Sequence, residues 1–306
     1  MNINRCLLFV MLTLMAAPGR AWDAVPQKVA DGVYAFIGET GPRTAANEGM
    51  NANTGFVVTA AGVVVIDSGS SKQAAQKIEA AIRRITDQPI KYVINTGGQD
   101  HRWLGNSHFA DQGIPILAHE RTAADIADRG GMLFESLAKQ LGPDFAGTRI
   151  QKPTRSFTGR QTLTLADEVI ELVFAGGGHT PGDTIVWLPN KRIAFSGDIV
   201  YVDRLLGVLQ VSSVKHWLNS FDALAALQPV LIVPGHGAPA TPDKARKETR
   251  DYLARLQAHM KQAVDRGDDM QTAISTLDDR DFAYLQVYQE LRGQNANRSY
   301  LEAESE

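Results

Sequence analysis

Four short apolar stretches of this chain each run directly into a glycine-containing loop that carries histidine or aspartate, and no other feature limits the fold so strongly. Val93-Ile94-Asn95 leads to Gly97-Gly98-Gln99-Asp100-His101, and residues 172–175 lead to Gly176-Gly177-Gly178-His179. Residues 193–196 lead to Gly197-Asp198, and residues 230–233 to Pro234-Gly235-His236-Gly237. Glycine at such turns permits backbone angles and close approaches that other residues resist. Polar groups at the ends of neighbouring strands converge on one edge of a layered scaffold, where a rigid frame fixes their geometry. Imidazole and carboxylate meeting there suit Zn²⁺, with Mn or Fe as the alternatives.

The rest of the pattern is consistent with such a scaffold. Extended runs at 55–59, 62–66, 92–95, 114–118, 168–175, 184–188, 192–196 and 230–233 are rich in Val, Ile, Leu and Phe. Helical spacing occupies 72–85, 121–140 and 214–227. This mixture predicts an α/β (α+β) fold, two sheets packed face to face with helices outside. After Pro242 the pattern changes: Tyr252, Leu253, Leu256, Met260 and Val264 recur at helical intervals in 243–264, and a second helix is expected at 281–291. The division expected is a main domain over 22–242 and a helical subdomain over 243–306 packed on it. Its helices either close the fold or form a homodimer face.

Residues 1–5 carry one positive side chain, 6–17 form an apolar run too short for a permanent span, and Gly19-Arg20-Ala21 offers small residues for cleavage. A signal peptide over 1–21 is therefore expected, cut before Trp22 or, alternatively, near Ala24. That predicts a periplasmic or secreted protein with no integral membrane anchor after cleavage. The single cysteine, Cys6, lies in this segment. The mature chain then has no disulfide, thiolate nucleophile or sulfur ligand, and metal binding falls to His, Asp and Glu. Lys plus Arg (31) against Asp plus Glu (34) gives a formal charge of -3. No basic field is present to hold nucleic acid, and the expected partner is a small-molecule substrate.

In these residues the chain resembles the metallo-β-lactamase-fold hydrolases. The matching pieces are Gly62-Val-Val-Val-Ile-Asp67-Ser-Gly69, Val93-Ile-Asn-Thr96 leading to Asp100-His101, Leu104-Gly105-Asn106, Gly178-His179-Thr180-Pro181-Gly182-Asp183, Phe195-Ser-Gly-Asp198 and Val233-Pro-Gly-His-Gly237. The tail from Asn295 to Glu304 is similar to that of an exported branch associated with sulfur oxidation and quinoprotein systems. The resemblance implies a four-layer αββα sandwich and metal-assisted hydrolysis. The family signature is His-x-His-x-Asp-His. Here the stretch reads Thr96-Gly97-Gly98-Gln99-Asp100-His101, one residue shorter on this alignment and without either leading histidine. Of the family's three-His subsite only His179 remains. The second subsite carries over as Asp100, His101 and His236, with Asp198 completing it, so one zinc ion is expected.

On that basis His179, or Asp100 where the metal does not engage it, is the expected general base, and Asp67 fixes the loop holding Asp100 and His101. Gln99 reads as a hydrogen-bonding residue, Thr180 and Asp183 as turn residues, and His119 as a helix cap. His108, His216 and His259 read as structural. Residues 132–145, with Phe134, Leu137 and Leu141, are expected to form a wall or lid. The expected activity is hydrolysis of an activated acyl compound such as a thioester, lactam or lactone. Its competitor is a non-catalytic binding or accessory protein that kept the fold after losing part of the metal centre.

Overall fold

The computed structural model describes residues 22–306, so the expected signal peptide lies outside the described residues. The elements in chain order are β1 Gln27–Ala30, β2 Val33–Phe36, β3 Thr54–Thr59, β4 Gly62–Ile66, α1 Lys72–Arg83, β5 Ile90–Asn95, α2 Asp100–Trp103, α3 Asn106–Ala110, β6 Ile116–His119 and α4 Glu120–Leu141. They continue with β7 Arg155–Phe157, β8 Arg160–Leu165, β9 Glu168–Phe174, β10 Thr184–Leu188, β11 Ile193–Phe195, α5 Val214–Ala226, β12 Leu231–Val233, α6 Pro242–Ala245, α7 Asp251–Arg266, α8 Met270–Thr276 and α9 Tyr288–Ser305. Among the described residues no helix is long and apolar enough to cross a membrane.

Strands β1 to β7 form one sheet in sequence order, and a second sheet runs β12-β11-β10-β9-β8. Their inner faces meet in a cluster joining Val57, Val64, Ile66 and Ile94 of the first sheet to Ile170, Leu172, Val186, Phe195 and Val233 of the second. β4 is buried at every position because it is covered on both faces, which explains its unbroken Gly-Val-Val-Val-Ile run. The outer face of the first sheet packs on Ala75, Ile78 and Ile82 of α1 and Phe109 of α3. Ser71 caps α1 by accepting a hydrogen bond from the Ala74 N–H at 3.1 Å. On the far side, Ile185, Trp187, Ala194 and Ile232 share one core with Trp217 and Phe221 of α5, Tyr252, Leu256 and Met260 of α7, and Tyr300 of α9. The order of layers is helix, sheet, sheet, helix.

The C-terminal part departs from the expected helix over 281–291. A short turn occupies Arg280–Phe282, Val287 adopts a left-handed φ of 54°, and the long helix α9 starts only at Tyr288. Apolar spacing gives little sign of α9 because its buried residues, Tyr288, Asn295, Ala296, Ser299 and Tyr300, are largely small or polar. Between α6 and α7 the helix widens into a π turn at Arg246–Arg250. There Thr249 Oγ1 donates to the Tyr201 carbonyl (2.6 Å) and accepts from the Tyr201 N–H (3.0 Å), fixing a residue that faces the site described next.

Candidate metal centre

The ends of β5, β11 and β12 bring His101, Asp198 and His236 together, with one donor atom from each within 4.8 Å of the others. All three residues are buried. His101 Nε2 lies 3.3 Å from Asp198 Oδ2 and His236 Nε2 lies 3.2 Å from Asp198 Oδ1. Such spacings approach the edge of a tetrahedron of ligands about 2.0–2.1 Å from a central zinc. His236 Nδ1 is 2.7 Å from the Asn51 carbonyl oxygen. Donating a proton there fixes the tautomer and leaves the Nε2 lone pair facing the cluster, the usual support for a metal-binding imidazole. Burial holds the His236 pKa well below its ordinary value, so the ring stays neutral. Donor set, spacing and tautomer all fit one cation of the zinc type.

Beneath these three side chains lies Arg102, whose five hydrogen bonds are all directed into the protein. Nε donates to Asp198 Oδ2 (3.1 Å) and Nη2 to Asp198 Oδ1 (2.6 Å) and the Gly235 carbonyl (3.2 Å). Nη1 donates to Asp67 Oδ2 (3.0 Å) and the Asn53 carbonyl (2.7 Å). Asp67 also accepts from the N–H and hydroxyl of Thr96, both at 2.7 Å. The carboxylate placed behind the ligand loop thus acts through Thr96 and Arg102. Burial would raise the Asp198 carboxyl, but the charges of Arg102 and His101 hold it well below the usual range. Burial wins at Asp67, whose pKa is raised despite Arg102.

Of the remaining expected site residues, Asp100 and His179 stand outside the group of three. Asp100 forms an ion pair with Arg43 and sits behind His101, its Oδ1 3.5 Å from His101 Nδ1. That nitrogen is buried without a hydrogen-bond partner. His179 Nδ1 is 3.0 Å from the Gly207 carbonyl oxygen, and its Nε2 faces the Tyr201 hydroxyl at 3.5 Å. Tyr201 in turn donates to Asp198 Oδ1 at 3.1 Å and stacks on the His236 ring, 4.5 Å between centroids. Burial pushes the His179 pKa down to about 4 and raises the Tyr201 hydroxyl well above its usual value, so both are neutral near neutral pH. Thr180 and Asp183 hold the His179 loop: Asp183 accepts from the Thr180 N–H (2.7 Å) and hydroxyl, and Thr180 Oγ1 accepts from the Gly98 N–H (3.1 Å).

This geometry fits an alignment of the ligand loop without the missing residue. Laid from Gly97, the six signature positions fall on Gly97, Gly98, Gln99, Asp100, His101 and Arg102. His101 then takes the signature's aspartate position and Arg102 its last histidine, which is why these two, and not Asp100, face Asp198. The first histidine position is also closed, since a Cβ on Gly97 would lie 2.7 Å from Asp183 Oδ1.

A cleft of about 200 Å³ opens above His101 and His236, with Arg43, Asn51, Gln99, Arg204, Leu291 and Gln294 in its walls. The stretch 132–145 is not a lid: Leu137 and Leu141 pack with Trp103, Leu104 and Phe145 in a small core of their own, with Phe134 against it. The wall comes instead from α9. His119 caps α4 through Nδ1, which accepts from the Arg121 N–H at 3.2 Å, and stacks on Phe174. A larger open depression of about 530 Å³ between residues 275 and 292 holds none of these side chains. Sequence reasoning missed Arg102, Tyr201, Arg204 and Arg43. Only Arg102 carried a signal, as a charged residue between His101 and the apolar Trp103-Leu104.

The sequence profile described as the metallo-beta-lactamase superfamily matches residues 48–236, a span that includes His101, Asp198 and His236. The chain belongs to this superfamily. Similar superfamily-related proteins include a linear primary-alkylsulfatase of Pseudomonas sp., 23% identical over 63% of this chain and 43% of the relative. The alpha subunit of a 2,4-dinitroanisole O-demethylase of Nocardioides sp. is 27% identical over 74% of this chain and 57% of its own length. Metallo-beta-lactamase IND-1 of Chryseobacterium indologenes is 26% identical over 61% and 72%. The chain spans about half the length of the first two. A solved metallo-beta-lactamase from Pontibacter korlensis superposes with a TM-score of 0.61 at 22% identity, over 75% of this chain and 98% of that one, and shares the fold.

Proposed function

We propose that this superfamily member is an exported, mononuclear zinc hydrolase acting on an activated acyl compound such as a thioester, lactam or lactone. The observation that carries the reading is the convergence of His101, Asp198 and His236, with the His236 Nε2 lone pair held toward the group by the Asn51 carbonyl. A zinc ion held there supplies Lewis-acid polarisation of the scissile carbonyl. His179, its proton fixed on Nδ1 by Gly207, presents Nε2 to take a proton from an attacking water. The neutral Tyr201 hydroxyl, between His179 and Asp198, orients that water by hydrogen bonding. Asp100 positions His101 and does not itself take the proton, because Arg43 engages it.

One observation favours the second reading, an accessory protein without metal. Both Asp198 oxygens already bind the Arg102 guanidinium, so the carboxylate is compensated without an ion. Metal analysis of the purified protein separates the two. About one equivalent of zinc, lost in His101→Ala and His236→Ala, together with turnover in a panel of thioesters, lactams and lactones, supports the hydrolase. Failure to retain any metal and no turnover on the panel refutes it.

A further inference from the structure

We propose that the α-ammonium formed at Trp22 when the leader is removed is the missing partner of the buried Glu48 carboxylate, so that processing completes the loop that orients His236. The inference rests on the export reading but not on hydrolysis. Glu48 is 7% exposed, and its two oxygens are unequally served. Oε1 pairs with Lys77 Nζ, while Oε2 is buried and has no hydrogen-bond partner among the described residues. A carboxylate oxygen shut away from water without a donor keeps its desolvation cost. The same Lys77 Nζ donates to the Trp22 carbonyl at 3.0 Å, so Trp22 and Glu48 meet at one side chain. Within Trp22 the α-nitrogen is only about 3 Å from that carbonyl oxygen.

The contacts of residues 22–24 decide between the two cleavage positions. Lys77 holds Trp22, Arg84 Nη2 donates to the Ala24 carbonyl at 3.3 Å, and the Trp22 ring meets Phe36 edge-on, 6.3 Å between centroids. A cut before Trp22 keeps all three contacts, whereas a cut before Ala24 discards the Lys77 and Phe36 ones. Hydrolysis of the Ala21–Trp22 peptide bond by a leader peptidase consumes one water and leaves a carboxylate on Ala21 and an amine on Trp22, protonated near neutral pH. The peptide N–H was a single neutral donor fixed by the preceding residue; the ammonium has three donors, a full charge and freedom to turn. Glu48 sits in a loop that already needs support, since its φ is 51° in the left-handed region. Ser70 Oγ donates to its carbonyl (2.7 Å), and the Gly49 and Met50 N–H groups donate to the Thr44 (3.1 Å) and Asn47 (2.7 Å) carbonyls. Three residues beyond Glu48, the Asn51 carbonyl fixes the His236 tautomer at 2.7 Å.

Amide hydrogen exchange over residues 44–51 tests the pair, on protein released from a fusion so that Trp22 is its first residue. Exchange there should be at least ~5-fold slower than in the same chain with its α-amine acetylated, and slower than in a chain that retains Ala21. Glu48→Gln should erase these differences, which a merely structural N-terminus would keep. The acetylated comparison leaves every side chain unchanged and so stands even if Glu48→Gln fails to fold. Equal exchange in the free and acetylated chains, or a difference that survives in folded Glu48→Gln, overturns the proposal. Mass spectrometry of the full chain exported by a bacterial host should find Trp22 first, and a start at Ala24 overturns it as well. A full chain left uncut refutes export and with it the processing step, even where the exchange comparison shows the pair.

Discussion

Replacing Arg102 by Met removes the five hydrogen bonds that join Asp67, Asp198 and the carbonyls of Asn53 and Gly235, and strands two buried carboxylates. Breaking a buried, hydrogen-bonded ion pair from one side costs about 3–5 kcal/mol, since the charge left behind keeps its desolvation penalty. Against a total domain stability of about 5–15 kcal/mol that is a large fraction. With a urea m value of ~3 kcal/mol/M, the unfolding midpoint of metal-free protein should drop by about 1–1.7 M. Zinc should restore part of the loss, because a cation at His101, Asp198 and His236 compensates Asp198 and stabilises the folded state by mass action. Arg102→Lys, which keeps the charge but not the bidentate fork, should fall between. A midpoint for Arg102→Met within ~0.3 M of wild type would refute the claim that this guanidinium balances the buried acids.

Zinc affinity should fall beyond measurement in His101→Ala and His236→Ala but only about 10- to 100-fold in Asp100→Asn, whose carboxylate stands behind His101. Equal losses in a competition assay with a chelating dye would return Asp100 to direct ligation. Asn295→Ala leaves the Val208 N–H, the Leu206 carbonyl and the Tyr252 hydroxyl without their partner. It should cost about 2–4 kcal/mol; an unchanged denaturation midpoint would contradict the role given to this side chain. Burial, with Asp198 close by, pushes the Asp183 carboxyl up to about 8. The folded chain then holds a proton that an unfolded Asp releases near ~3.9, so the Asp183 contribution to stability should fall as pH rises between about 4 and 8, while His179 and His236, kept neutral by burial, contribute the opposite slope below ~6.5. Asp183→Asn should remove that contribution, and a stability difference between parent and variant that stays the same from about pH 5 to about pH 8 would count against it.

The αββα order was legible because β4, β5, β11 and β12 are short, apolar and followed by glycine-containing turns, and burial from both sides demands that composition. His101, Asp198 and His236 were legible for the same reason: each follows a strand end directly. Asp100 stands outside the group of three, which the sequence does not reveal because it does not show which way a one-turn helix points its side chains. In α2 consecutive residues are rotated about 100° apart, so His101 and Arg102 turn inward while Asp100 meets Arg43. Arg204 and α9 were invisible for a different reason. Nothing near residue 204 in sequence signals that Gln286, Gln294 and Asn295 will fold over it.

That last arrangement sets an order on biosynthesis. Asn295 holds Val208 and Leu206 across 87 and 89 residues of chain, and Gln294 holds Val208 across 86. A polypeptide interrupted between His236 and Gln294 already possesses His101, Asp198 and His236. It lacks the clasp that holds the loop carrying Arg204 and the Gly207 carbonyl against His179, so the group of three and the cleft wall are completed at separate moments of translation.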